Sequence, residues 1–128
     1  MKHLTVKDIE LLHMQIIDAS GGVELVGHIG REKAAVSTQH QVVFGQELYE
    51  SIFSKSAALT RGIIADHPFI DGNKRTGIMA ALTLLNLNGH DTSDLEDSEL
   101  EDFAVKIATD RLSVEDIAAW LKSHCTTN

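Results

Sequence analysis

The sequence predicts an all-α protein, a compact bundle of about six helices around one buried central helix. Three observations support this fold class. Apolar residues recur at helical spacing in several segments, no convincing set of strands is visible, and the segment from Asn73 to Asn88 is apolar almost all round after its first turn. A helix without a polar face is expected inside a domain, surrounded by other helices. With 128 residues, 43% of them hydrophobic, the chain is expected to form a single domain over residues 1–128.

The first predicted helix covers about Val6 to Ala19, and its apolar residues recur every three or four positions. Thr5, with Asp8 three residues on, is expected to cap its start. Gly21-Gly22 is expected to end it. His13 lies beside the apolar stripe, where a packed or half-exposed histidine is favoured over a ligand-binding one.

The next forty residues give a less regular pattern. Val23 to Gly30 is rich in glycine and is interpreted as a loop, and Arg31 to about Gln41 predicts a short helix. Val42 to Gly45 is apolar and β-prone but too short to assign alone. Glu47 to Asp66 predicts a longer helix with one apolar stripe. Arg61 in this helix is expected to point into solvent, and a direction toward the loop that follows the helix is the alternative.

The second half of the chain predicts the remaining helices. The central helix runs from Asn73 to Asn88, and a further helix is expected from Asp97 or Ser98 to Ala108. Ser113, with Asp116 three residues on, caps a last helix that ends near His124.

Composition and charge exclude several function classes. The net charge of −8 argues against direct nucleic-acid binding, which favours a basic face. Six acids between Asp94 and Asp102 are expected to form a solvated helix face. The single cysteine, Cys125, cannot form an internal disulfide, the N-terminus shows no signal-peptide core, and no apolar run is long enough to span a membrane. These features favour a cytoplasmic protein that does not act at a membrane.

The stretch from Asp66 to Gly77 carries the highest density of groups that can do chemistry. It reads Asp-His-Pro-Phe-Ile-Asp-Gly-Asn-Lys-Arg-Thr-Gly. Pro68 disfavours the α region for the residue before it, so the preceding helix is expected to stop there with His67 in an extended conformation. Phe69 is expected to be a core plug that fixes the loop. Gly72 is expected to let the backbone turn and to give a bulky ligand close access.

The helix after this loop begins with cations, which is the reverse of what helix stability favours. Its first turn comprises Asn73, Lys74, Arg75 and Thr76, where free N–H groups and the positive end of the helix dipole favour anions. Such a local conflict indicates a functional site. Together with Asp71, these groups suit a nucleotide phosphate chain and its divalent metal.

These residues resemble the signature of the Fic/Doc superfamily, His-Pro-Phe-x-(Asp/Glu)-Gly-Asn-(Gly/Lys)-Arg. The matching positions are His67, Pro68, Phe69, Asp71, Gly72, Asn73, Lys74 and Arg75, which are eight of nine consecutive residues. Fic enzymes that transfer nucleotidyl groups typically carry glycine at the position of Lys74, whereas lysine resembles the death-on-curing (Doc) branch of toxins. The resemblance also implies an all-α fold.

The resemblance implies a role for each matching residue. His67 corresponds to the general base that takes the proton of a Ser, Thr or Tyr hydroxyl, which suits an imidazole with an unperturbed pKa of about 6.5. Asp71 corresponds to the acid that binds Mg²⁺. Gly72 to Arg75 correspond to the positions that bind the phosphates of ATP, and Lys74 and Arg75 also correspond to catalytic cations that stabilise charge on the transferred group.

Three functions stay open at this point. The first is a Doc-like toxin kinase that transfers the terminal phosphate of ATP to a hydroxyl of a target protein. In the family's best-known branch that target is translation elongation factor Tu, so translation is arrested. The second is a Fic-type protein nucleotidylyl transferase (AMPylation) that uses the same His67. The third is a non-catalytic binding module.

The resemblance also implies how partners bind. Many Fic proteins carry an inhibitory Ser/Thr-x-x-x-Glu-Gly/Asn motif, and no match is found here. Inhibition is therefore expected in trans, by an antitoxin protein whose partly disordered segment folds onto the bundle. By the same resemblance, Val42 to Gln46 is a candidate flap that holds the target by strand addition. A connector that faces the core is the alternative.

Overall fold

The computed structural model of the protein describes residues 1–20, 29–69 and 72–127. Six α-helices form most of this described part, which confirms the all-α class: α1 (Val6–Ser20), α2 (Ile29–Ser37), α3 (Ile52–Asp66), α4 (Asn73–Leu87), α5 (Asp97–Thr109) and α6 (Val114–His124). A short 3-10 helix spans Thr38–His40. Four two-residue strands are β1 (Val42–Val43), β2 (Gln46–Glu47), β3 (His90–Asp91) and β4 (Thr126–Thr127). No helix among these described residues is long and apolar enough to cross a membrane.

Helix α4 is largely buried and contacts α1, α3 and α5, while α3 contacts α2, α4, α5 and α6. These two helices together form the centre of the bundle. One hydrophobic core includes residues from every helix: Ile9, Ala35, Leu59, Leu84, Ile107 and Ile117 are among its members. Helices α3 and α4 approach each other closely at Gly77, where an added Cβ would lie 2.7 Å from Cγ1 of Ile64. Such a contact is too short for a side chain, so glycine at this position allows the two helices to pack together and holds the start of α4 against α3.

Polar caps fix the starts of three helices. At α1, the Asp8 N–H donates to Oγ1 of Thr5 at 3.2 Å, and the Thr5 N–H donates to Oδ2 of Asp8 at 2.8 Å. The predicted cap of α6 is also present, with the Asp116 N–H donating to Oγ of Ser113 at 3.1 Å. Helix α3 begins at Ile52, five residues later than predicted, because Ser51 caps it.

The residues before α3 form a hairpin, which the sequence did not establish. Strands β1 and β2 pair antiparallel, with Val42 opposite Glu47 and Val43 opposite Gln46. Phe44 and Gly45 form the two-residue turn, both with positive φ, and Phe44 is fully exposed. The interpretation of this segment as a connector facing the core is therefore wrong. The candidate flap role stays a prediction.

The other boundaries differ by small amounts. Helix α2 starts at Ile29, inside the segment interpreted as a loop, and the 3-10 helix forms the rest of the predicted short helix. Residues 21–28, where Gly21-Gly22 was expected to end α1, lie outside the described residues. Strands β3 and β4 pair antiparallel and tie the C-terminal residues to the end of α4. The acids between Asp94 and Asp102 are all exposed, as expected.

Candidate active site

The loop between α3 and α4 is anchored by Phe69, which is 3% exposed. Its ring stacks on the ring of His13 in α1, with centroids 3.8 Å apart and planes 8° from parallel. Phe69 is thus the core plug that the sequence predicted, and His13 is a packed histidine. The stack fixes the middle of the loop to α1.

Asn73, the first residue of α4, ties the loop to the helix. Its Oδ1 accepts a hydrogen bond from the Phe69 N–H at 3.0 Å, and its Nδ2 donates to the Phe69 carbonyl at 2.9 Å. The oxygen and the nitrogen of this buried side-chain amide therefore both bond to the backbone of Phe69. The side chain of Asn73 thus positions the loop, and the assignment of Asn73 to phosphate binding stays a prediction.

Gly72 has a positive φ of 80°, as a turn residue at the N-cap of α4 should. An added Cβ would lie 3.0 Å from Cδ1 of Ile17 and 3.6 Å from Cδ2 of His13. The missing side chain therefore lets the loop pack closely on α1. The expectation that Gly72 also gives a bulky ligand close access stays a prediction.

The first turn of α4 offers the predicted anion-binding groups. Its hydrogen-bond ladder begins with the Thr76 N–H donating to the Gly72 carbonyl at 2.9 Å. The N–H groups of residues 73–75 precede that bond, so they have no partner within the helix. Lys74 and Arg75 are exposed beside them. These groups fit a phosphate chain.

His67 follows the last residue of α3 and is exposed. Its backbone is left-handed, with φ 48° and ψ 61°, so the expected extended conformation is wrong. The reason is that α3 ends in the left-handed conformation common after a helix. Holding a residue other than glycine there costs about 1–3 kcal/mol, and such strain clusters at functional sites. Arg31 supports this end of α3, since its Nη1 donates to the Asp66 carbonyl at 3.0 Å.

The predicted metal-binding acid, Asp71, lies outside the described residues together with Ile70. Among the residues that are described, no group of three His, Cys, Asp or Glu side chains could hold a metal ion. The assignment of Asp71 to magnesium binding stays a prediction.

A cavity of about 340 Å³ borders His67 and was not predicted from the sequence. Arg61 of α3 and Arg111, in the turn after α5, also line it. Arg61 is exposed, as expected, but its Nε donates to the Leu112 carbonyl at 3.0 Å, so it lies along the surface beside His67. No sequence signal could have joined these residues, because Arg61 and Arg111 are fifty positions apart and belong to no shared motif.

A helical bundle that presents His67, Lys74 and Arg75 at the two ends of one loop is the arrangement expected of the Fic/Doc superfamily. The Fic/DOC family model matches residues 3–85, from the start of the chain to the last turns of α4. The chain therefore belongs to the Fic/DOC family, and its relatives place it in the Doc branch.

Two relatives were compared over most of their length. The chain is 36% identical over 104 residues to "Toxin Doc" of Mycolicibacterium smegmatis (strain ATCC 700084 / mc(2)155), covering 80% of each chain. It is 31% identical over 122 residues to "Protein kinase doc" of Escherichia phage P1, covering 95% of this chain and 94% of the relative. The similarity thus extends beyond the loop to nearly the whole bundle.

Proposed function

We propose that the protein is a Doc-type toxin that transfers the terminal phosphate of ATP to a hydroxyl group of a target protein. The observation that carries this proposal is the loop geometry. One end presents an exposed histidine, and the other presents N–H groups and two exposed cations at the start of a buried helix. The name of the phage P1 relative, a protein kinase, supports this reaction.

In this reaction His67 accepts the proton of the attacking hydroxyl, since a neutral imidazole that faces solvent can contact an incoming protein. Lys74, Arg75 and the N–H groups at the start of α4 hold the phosphates and stabilise the negative charge of the transition state. Asp71 would hold Mg²⁺. A divalent ion held there would supply positive charge that offsets part of the negative charge of the phosphates.

Rigid placement of these groups supports a catalytic role. The two hydrogen bonds between Asn73 and Phe69 and the stack of Phe69 on His13 connect the loop to α4 and α1. A reactive constellation works best when its supports are packed and hydrogen-bonded. A binding module would not need an imidazole held in a strained conformation.

Lys74 favours phosphate transfer over nucleotidyl transfer. Its long side chain stands on the first turn of α4, where an enzyme that cleaves at the α-phosphate must accommodate further phosphates. Lys74→Gly is therefore expected to shift the label transferred from the γ-phosphate toward the α-phosphate. Unchanged γ-specific transfer by this variant would show that Lys74 does not select the phosphate.

The target and the inhibitor follow from the Doc branch. We propose a translation factor, elongation factor Tu by resemblance, as the protein substrate and an antitoxin protein as the inhibitor in trans. The name of the mycobacterial relative, a toxin, supports this pairing. Growth arrest on expression of the chain alone, relieved by His67→Ala, is the expected result; harmless expression of the active enzyme would contradict it.

The test of the reaction uses ATP labelled at either the α- or the γ-phosphate. Purified protein, Mg²⁺ and each ATP are added to bacterial extract, with His67→Ala as the control. Label on a protein band only from γ-labelled ATP, and only with the unaltered chain, is expected. Label only from α-labelled ATP would mean nucleotidyl transfer, and absence of His67-dependent label would contradict an enzymatic role.

A further inference from the structure

The cavity beside His67 has an apolar floor and a cationic rim. Its floor includes Ile64 of α3 and Ile107 of α5, which are both buried. Its rim includes the exposed side chains of Arg61, His67 and Arg111. Three groups that can carry positive charge therefore surround one concave site, although the chain as a whole has a net charge of −8.

A hydrogen bond holds the side chain of Arg61, and neither Arg61 nor Arg111 has an ion-pair partner among the described residues. The bond from Nε of Arg61 to the Leu112 carbonyl fixes the side chain and leaves the terminal guanidinium nitrogens as donors. Among the described residues, one ion pair is present, between Lys55 and Glu47. No described carboxylate therefore lies within 4 Å of the guanidinium nitrogens of Arg61 or Arg111. The closest acid in sequence to Arg111 is Asp110, whose Oδ1 accepts a hydrogen bond from Thr109 at 3.4 Å.

The backbone conformation of Arg111 is unusual for an arginine. Its φ is 50°, in the left-handed region that a long side chain disfavours. Cations near the C-terminal end of a helix are stabilised by the helix dipole, which accounts for a charge just after α5. That effect does not account for two arginines meeting over one apolar cavity next to the proposed base.

We propose that Arg61 and Arg111 form a subsite for an acidic side chain of the protein substrate, close to the hydroxyl that His67 deprotonates. Guanidinium groups bind carboxylates through paired hydrogen bonds, and the apolar floor fits the methylene groups of Asp or Glu. The volume is near the lower limit of pockets for small molecules, which suits one side chain better than a nucleotide. The phosphates have their own groups at the start of α4.

This inference rests on the phosphate transfer proposed above, so its first test does not need activity. The isotope-labelled protein is titrated by NMR at low salt with N-acetyl-glutamate methylamide and with the matched glutamine compound. Shifts of the Arg61 and Arg111 side-chain signals and of the Ile64 and Ile107 methyls are expected with the acid alone. Equal shifts with the amide, or shifts with ATP and not with the acid, would overturn the subsite.

The second test measures transfer to the labelled protein band. Arg61→Gln and Arg111→Gln are expected to raise KM for the protein roughly tenfold to a hundredfold, with KM for ATP and kcat little changed, since charged hydrogen bonds are lost only in substrate binding. Arg111→Lys should restore part of the affinity because it keeps the charge. Lys122→Gln, on the exposed part of α6, is the matched control.

The outcomes separate the two proposals. An unaltered enzyme that transfers no label would contradict the proposed reaction, while the NMR titration still decides whether the acid binds. Transfer by the unaltered enzyme with an unchanged KM for the protein in both glutamine variants would overturn the subsite alone. A fall in kcat together with a lower melting temperature would assign the arginines to structure and also overturn it.

Discussion

The two ends of α3 use polar residues in opposite ways. At the first turn, Lys55 is 2% exposed, yet its Nζ donates to the Gln39 carbonyl at 2.6 Å and to Oε1 of Glu47 at 2.9 Å. Ser51 caps the same turn. Each of these polar side chains forms a hydrogen bond with another group of the protein, so this end of α3 stabilises the fold.

The last turn of α3 breaks the rules that the first turn follows. His67 is exposed in a strained conformation, and Arg61 lies beside it without a described carboxylate partner. Across the loop, Lys74 and Arg75 stand at a helix start that disfavours cations. Exposed cations and a strained histidine gathered at one place, without described carboxylate partners, indicate a surface for ligands. The comparison predicts that substitutions at the two ends will have separate effects on stability and activity.

Asn73→Ala is expected to lower both stability and activity, and its effect on stability should be the largest of those predicted here. The residue lies at the reactive end, but its amide satisfies both polar groups of Phe69, so its loss leaves a buried N–H and a buried carbonyl without a partner. We expect a loss of about 2–5 kcal/mol in the free energy of unfolding, with loss of transfer as well. Urea denaturation measures the former. Asn73→Asp keeps the acceptor for the Phe69 N–H and should lose less; equal stability of all three proteins would contradict the role assigned here.

The features that could be predicted from the sequence are those that depend on short stretches of the chain. Periodicity and caps placed six helices, and the loop motif identified His67, Lys74 and Arg75. Leu48 continued the apolar stripe of α3, so periodicity alone could not show that Ser51 starts the helix. The hairpin was missed because each strand is two residues long.

Other features depend on tertiary packing. The left-handed conformation of His67 results from how α3 ends, and the bonds from Asn73 to Phe69 depend on the folded loop. The proximity of Arg61 and Arg111 follows from the packing of α3 against α5. None of these features could be predicted from the hydrophobic periodicity or from a sequence motif.

Glu32→Gln sharpens the comparison by testing a buried carboxyl group that, unlike Lys55, has no ion-pair partner among the described residues to stabilise its charged form. Glu32 in α2 is 3% exposed, and its Oε1 has no hydrogen-bond partner in the described structure. Burial first, and then the charge of Glu10 and a hydrogen bond with it, raise the pKa of Glu32 from its ordinary value of 4.5 to about 7. The folded protein therefore holds a proton that the unfolded chain releases, and stability falls as pH rises from about 4.5 to about 7.

The expected gain of Glu32→Gln follows from that sign. At pH 8 the variant should be more stable than the unaltered protein by up to about 3 kcal/mol, and near pH 4 the two should be similar. Urea denaturation at both values measures the difference. Glu115→Gln, at an exposed position of α6, should show no such pH dependence. A gain of equal size at both pH values would refute the assignment to proton binding.

Lys55→Met tests the stabilising end with a smaller effect. Methionine keeps most of the buried volume but leaves the Gln39 carbonyl without its donor, so a loss of about 1–3 kcal/mol in the free energy of unfolding is expected. Glu47→Gln should cost less, since the Glu47 side chain is 53% exposed and water can replace its bond. Thermal melting ranks the two variants by stability. A larger loss of stability in Glu47→Gln than in Lys55→Met would contradict the greater importance given to the buried bond from Lys55 to Gln39.

The most direct test of the division between the two ends compares His67→Ala with Lys55→Met in the same assays. We expect His67→Ala to lose about a hundredfold or more of the γ-phosphate transfer while its melting temperature stays close to that of the unaltered protein. Lys55→Met should melt earlier and, below its melting temperature, transfer phosphate at nearly the normal rate. A His67→Ala protein that melts early and still transfers phosphate would contradict the assignment of this end of α3 to catalysis.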